Sequence, residues 1–162
     1  MKVEDIMTKE VITISPGTKV TEVARILFEH NFNGLPVVDG EKKVLGMVTE
    51  SDLLADDSIG IHIPSFARLL ADFNVLKMVK GEEKKNLEAI VNATAESIMN
   101  TDCARAKPET SITELMKLFN EKHVNPVPVI DESGILQGIV ARSDIVKLVG
   151  RFSEAELDFL RE

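Results

Sequence analysis

The chain has 162 residues, 44 % of them hydrophobic and 28 % charged, and carries a net charge of −8. These totals describe a folded globular protein of one ordinary domain, or of two small ones sharing a core, and exclude disorder as the main state. The charge repels nucleic acid and anionic membrane at long range, and seven Phe with neither Trp nor Tyr offer little base stacking, so neither is an expected partner.

A single cysteine, Cys103, rules out an internal disulfide, and its place among apolar strand residues suggests a buried, inert thiol. No run approaches the roughly 18 apolar residues of a membrane span. The opening MKVEDIMTKE carries acids where a signal peptide has basic and then apolar residues. A cytoplasmic protein without membrane insertion is the expectation.

Taken in chain order, the elements occur twice. At an offset of 92, residues 3–54 and 95–146 are identical at 16 of 52 positions, among them Ile6/Ile98, Met7/Met99, Pro16/Pro108, Asn33/Asn125, Pro36/Pro128, Gly46/Gly138, Ser51/Ser143 and Asp52/Asp144. Fixed-offset similarity marks an internal duplication. Each copy opens on a helical turn (Val3 to Met7, Ala95 to Met99) and a short strand (Val11 to Ile14, Cys103 to Ala106) that Pro16 or Pro108 ends by removing a donor.

A helix follows. Val20, Val23, Ala24 and Leu27 recur at helical spacing in the first copy, and Ile112, Leu115, Met116 and Phe119 in the second, where Ser111 and Glu114 form a capping box. Next come two strands, Leu35 to Val38 and Val44 to Thr49 against Val127 to Ile130 and Ile135 to Ala141, with polar turns at Gly40 and Gly134. Ser51-Asp52 and Ser143-Asp144 then start a second helix. The fold class is α+β: two β-α-β-β-α motifs (1–54 and 95–150), each with a three-stranded sheet that cannot cover both faces alone.

Between the copies, 55–94 is too long for a structureless link and is predicted to be a helical insert, starting near Pro64 and Ser65 and passing Gly81 to a second helix around Leu87, Ile90 and Val91. Residues 151–162 are predicted to form a C-terminal helix, with Ser153 and Glu156 at capping-box spacing.

The segments Asn33 to Asp39 and Gly46 to Leu53, with their counterparts Asn125 to Asp131 and Gly138 to Ile145, resemble the signature of CBS domains, named after cystathionine β-synthase. The resemblance covers about 104 residues and implies two CBS motifs packed as one intramolecular pair, commonly assembled as a homodimer. It also implies clefts for an adenosine-containing ligand such as AMP, ADP, ATP or S-adenosylmethionine, with no required cofactor. Asp52 and Asp144 would then hold the ribose hydroxyls and Thr49 ribose or phosphate. Gly34, Leu35 and Pro36, with Pro126, Val127 and Pro128, would enclose the base. Thr13, Ile14, Arg105 and Ala106 would add backbone contacts.

Elementary chemistry supports these positions. A carboxylate can accept two hydrogen bonds from a cis-diol, and a helix N-terminus offers unpaired N–H groups to a phosphate. The competing reading is that Ser51, Asp52, Ser143 and Asp144 only cap helices. The copies also differ, Thr49 and Glu50 standing against Ala141 and Arg142. The site with Arg142, helped by Arg105 or Lys107, is expected to prefer a phosphorylated ligand, and the Asp52 site a less charged one.

The histidines His30, His62 and His123 are dispersed without metal-ligand spacing, and no base stands beside Ser51. An enzyme is not expected. The 58 residues outside the copies are too few for an effector domain, so the output is expected to lie in a regulated partner protein. The alternative is a ligand-independent dimerisation or interaction module.

Overall fold

The computed structural model describes residues 1–54, 81 and 92–151. In chain order it has a short 3-10 turn (Val3–Asp5), α1 (Val20–His30), β1 (Gly34–Val38), β2 (Val44–Thr49), α2 (Glu50–Leu54), α3 (Ala95–Ile98), α4 (Ile112–Glu121), β3 (Val127–Ile130), β4 (Leu136–Val140) and α5 (Arg142–Val149). The expected insert helices and the C-terminal helix, with Pro64, Ser65, Leu87, Ile90, Val91, Ser153 and Glu156, lie outside the described residues, as does His62.

The chain divides into two compact units. One is Ile12–Asp102, and the other joins Met1–Val11 to Cys103–Glu162. Their boundaries fall elsewhere than those of the sequence copies, because the opening turn of each copy docks on the sheet of the other. In the unit that carries Asp144, Val3 is fully buried and joins a core of Ala106, Leu115, Phe119, Val127, Val129 and Val140. In the unit that carries Asp52, Ala95 and Ile98 join Ile14, Val20, Val23, Leu27, Leu35, Val37 and Val48.

The two dockings use the same bonds. Val3 N donates to Thr110 O (2.9 Å) and Glu4 N to Pro108 O (3.0 Å), as Ala95 N does to Thr18 O (2.8 Å) and Glu96 N to Pro16 O (3.0 Å). Thr8 then pairs with Ile139, and Asn100 with Met47, by antiparallel bridges. Since both copies offer the same groove, the repeat pattern alone cannot tell which one a turn will fill.

Within each unit, two antiparallel strands form a hairpin, β1 with β2 and β3 with β4. The expected first strand shrinks to a single parallel bridge, Ile14 with Val37 and Ala106 with Val129. Two prolines explain this. Ile14 N donates to Pro36 O and Val38 N to Ile14 O. The next ladder bonds would need N–H groups on Pro36 and Pro16, which neither has. Pro128 and Pro108 stop the second copy in the same way.

The helices follow their apolar stripes. Val20, Val23 and Leu27 of α1 and Leu115 and Phe119 of α4 are buried. Ser111 caps α4 as expected: its Oγ accepts from Glu114 N (3.2 Å), while Glu114 Oε2 accepts from Ser111 N (3.0 Å). Met116, which recurs at the same helical spacing and would belong to the buried stripe, is instead 46 % exposed. One residue on from Leu115, it lies about 100° around the helix, on the rim of the stripe. Among the described residues no helix is long and apolar enough to cross a membrane.

Candidate functional site

The strand-to-helix corner of each unit gathers the residues singled out in the sequence. In the Asp52 unit, Gly34 at the start of β1 pairs with Thr49 at the end of β2, and Leu35 with Val48. The Ile14 bridge brings Thr13 and Ile14 alongside Pro36. The other unit repeats this with Val127 opposite Val140, and with Ala106 N donating to Pro128 O (3.0 Å). Gly34, Leu35, Pro36, Pro126, Val127 and Pro128 are all buried, and so are Ile14 and Ala106, whereas Ser51, Ser143, Arg105 and Arg142 are exposed.

Each aspartate sits at the third position of its helix and reaches back over the first turn. Asp52 Oδ2 accepts from both Thr49 N and Thr49 Oγ1, each at 2.7 Å. Asp144 Oδ2 accepts from Ala141 N at 2.8 Å. The aspartates therefore do cap, but through one oxygen. The N-cap of α5 is Ala141 and not a serine, and Ser143 lies within the first turn, as Ser51 does in α2.

The second carboxylate oxygens differ. Asp52 Oδ1 accepts no hydrogen bond among the described residues, while Asp144 Oδ1 is met by Lys147 Nζ at 3.1 Å.

The first helical residue of each corner is tied to an asparagine that is identical in both copies. Glu50 N donates to Asn33 O (3.1 Å), and the Asn33 amide to Glu50 Oε2 (3.3 Å). Arg142 N donates instead to Asn125 Oδ1 (2.9 Å). These asparagines were not among the candidate binding residues, although their identity across the repeat was a signal for them. They set where the helix leaves the strand.

The three cations singled out in the second copy, Arg142, Arg105 and Lys107, have separate partners. The Arg142 guanidinium donates to Phe119 O at 2.7 Å and lies 5.9 Å from the centre of the Phe119 ring. Arg105 Nη1 donates to Cys103 O (3.2 Å), and Lys107 pairs loosely with Glu132 at 3.8 Å. Arg142, Met116, Phe119, Asn120 and Ile145 line an open hollow of about 140 Å³ between α4 and α5.

Cys103 is buried and forms no disulfide. His30 is exposed and stacks on Phe32 at 5.1 Å, and His123 is exposed. Among the described residues no group of three or more His, Cys, Asp or Glu could hold a metal ion.

This architecture is shared with known proteins. Two proteins of Methanocaldococcus jannaschii are similar in sequence: MJ1225, 28 % identical over 146 residues, and MJ1426, 26 % identical over 153. The chain aligns over 90 % and 91 % of its own length but spans only 46 % of MJ1225, whereas it spans 90 % of MJ1426. Among solved structures, the CBS domain pair of protein MJ0100, in complex with 5′-methylthioadenosine and S-adenosyl-L-methionine, is 27 % identical with a TM-score of 0.65, covering 93 % of this chain and 96 % of that one. The CBS domain pattern itself matches twice, over residues 3–57 and 95–151, and the chain belongs to the CBS domain family.

Proposed function

We propose that this chain is a regulatory module that binds an adenosine-containing ligand at its strand-to-helix corners and passes the occupancy on to a partner protein, without catalysis of its own. The supporting observation is the pair of aspartates held alike at the head of a helix, each with Oδ2 used by its own backbone, while Oδ1 meets only Lys147 at Asp144 and accepts no hydrogen bond at Asp52 among the described residues. A carboxylate anchored through one oxygen keeps its place while the other is offered to a ribose diol, directly at Asp52 and in exchange for Lys147 at Asp144. The 27 % identical pair of MJ0100, which carries 5′-methylthioadenosine and S-adenosylmethionine, makes adenosine derivatives the first class to test.

The corners are unequal in charge. Glu50 at the first favours a ligand of little negative charge, and Arg142 at the second a phosphorylated one such as AMP, ADP or ATP. Thermal-shift titration of the full chain with 5′-methylthioadenosine, S-adenosylmethionine, AMP and ATP tests this. A binder at 100 times its dissociation constant adds about 2.7 kcal/mol of stability. No shift with any of the four would overturn the proposal.

One observation favours a second role, assembly with another copy. Val146 and Val149, one turn apart on α5, are 70 and 60 % exposed, and neighbouring apolar side chains on one helix face favour burial in a homodimer. Light scattering across a concentration series, with and without Val146→Glu, checks it. A chain that stays monomeric at high concentration removes this reading.

A further inference from the structure

The two aspartates are matched in sequence and in backbone setting, yet among the described residues only Asp144 has a lysine across its second oxygen. Lys147 Nζ lies 3.1 Å from Asp144 Oδ1, three residues along α5, with the lysine side chain 69 % and the aspartate 13 % exposed. In the first copy the matching position is Ala55, whose side chain carries no charge. Asp52 Oδ1 accepts no hydrogen bond among the described residues.

We propose that Lys147 is a specificity-determining residue: its ammonium occupies the carboxylate oxygen that a ribose diol would take, so a neutral nucleoside binds the Asp144 corner more weakly than the Asp52 corner. This inference rests on the adenosine reading above. Its physical content is a competition. Asp144 Oδ2 already serves the backbone, and Oδ1 must give up an ammonium before a diol can approach. An ion pair of this helical spacing whose lysine is exposed is weak and screened by salt, so the ligand can displace it at a modest loss of affinity. The loss should shrink as salt rises. At the Asp52 corner, where Oδ1 accepts no hydrogen bond among the described residues, a neutral ligand should bind with little dependence on salt.

The test is calorimetric titration of the full chain with adenosine, in an Asp52→Ala background that leaves only the Asp144 corner. Asp52→Asn replaces it should the alanine variant fail to fold. Adding Lys147→Met should raise affinity about two- to fivefold, Lys147→Arg should leave it low, and raising salt should strengthen binding only where the cation is kept. Unchanged or weaker binding with Lys147→Met overturns the role of Lys147, and so does binding that the methionine fails to bring into range. Failure of the underlying reading looks different. The wild-type chain then takes up no adenosine, or Asp52→Ala/Asp144→Ala binds it as tightly as wild type, and the Lys147 proposal falls with it.

Discussion

Gly138 lies directly beneath Thr8: a Cβ added at Gly138 would come 2.9 Å from the Thr8 carbonyl oxygen and 2.6 Å from Met7 Sδ. Its repeat partner Gly46 stands in the same relation to Asn100 O, at 2.8 Å, and to Met99 Sδ, at 3.2 Å. The strand carries glycine there because the docked opening turn passes with its backbone against it. Gly46→Ala and Gly138→Ala should therefore each destabilise by about 1–3 kcal/mol, through overpacking that backbone cannot relieve. Gly40→Ala, with nothing within 4 Å, serves as the control. Urea unfolding of the three variants checks this, and a loss at Gly40 equal to the others would contradict it.

Val3 anchors the same exchange from the other side. It is fully buried among residues of the Asp144 unit, so Val3→Ala should cost about 1–3 kcal/mol even though it stands so near the chain start. Hydrogen exchange should report the loss first in β3 and β4. Protection lost first in β1 and β2 would instead place the turn on its own copy.

Thr49 and Asp52 form a two-bond unit that the second copy lacks, because Ala141 has no hydroxyl. Thr49→Ala should cost about 1 kcal/mol of stability. In a double-mutant cycle with Asp52→Ala the two changes should be clearly non-additive, since they share a hydrogen bond. Ala141→Thr is the converse test and should leave stability equal or higher. Additive losses in denaturant titration would show that the hydroxyl and carboxylate act independently.

The capping box of α4 carries a pH signature. Bonds from Ser111 N and the Ser111 hydroxyl hold the Glu114 carboxyl below the usual carboxylate range. The folded state thus binds the proton more weakly than the unfolded chain. The stabilisation is fully present above the unfolded value of about 4.3 and is lost as pH falls through the lower folded value. Glu114→Gln should therefore be less stable than wild type at neutral pH, with the difference closing in acid. Thermal midpoints across pH 2–7 measure it, and a gap that persists at the acid end would contradict the linkage.

Much of this protein was legible from its residues, because local rules and the repeat agreed. The spacing of Val20, Val23 and Leu27, the Ser111–Glu114 box and the alternation of apolar runs with turns depend on neighbours a few residues away, and α1, α4 and both hairpins formed where those rules put them. The duplication also brought Thr49, Asp52, Ala141 and Asp144 to equivalent corners. Other features rest on atoms distant along the chain. The shortening of the first strand needed Pro16 and Pro36 to face one edge, which only the pairing of Ile14 with Val37 reveals. The exchange of opening turns was undetermined because both copies present the same groove. The inequality of the corners was visible as Glu50 against Arg142. That Arg142 is engaged by Phe119, and that Lys147 lies over the second oxygen of Asp144, was decided by how the helices place long side chains in space.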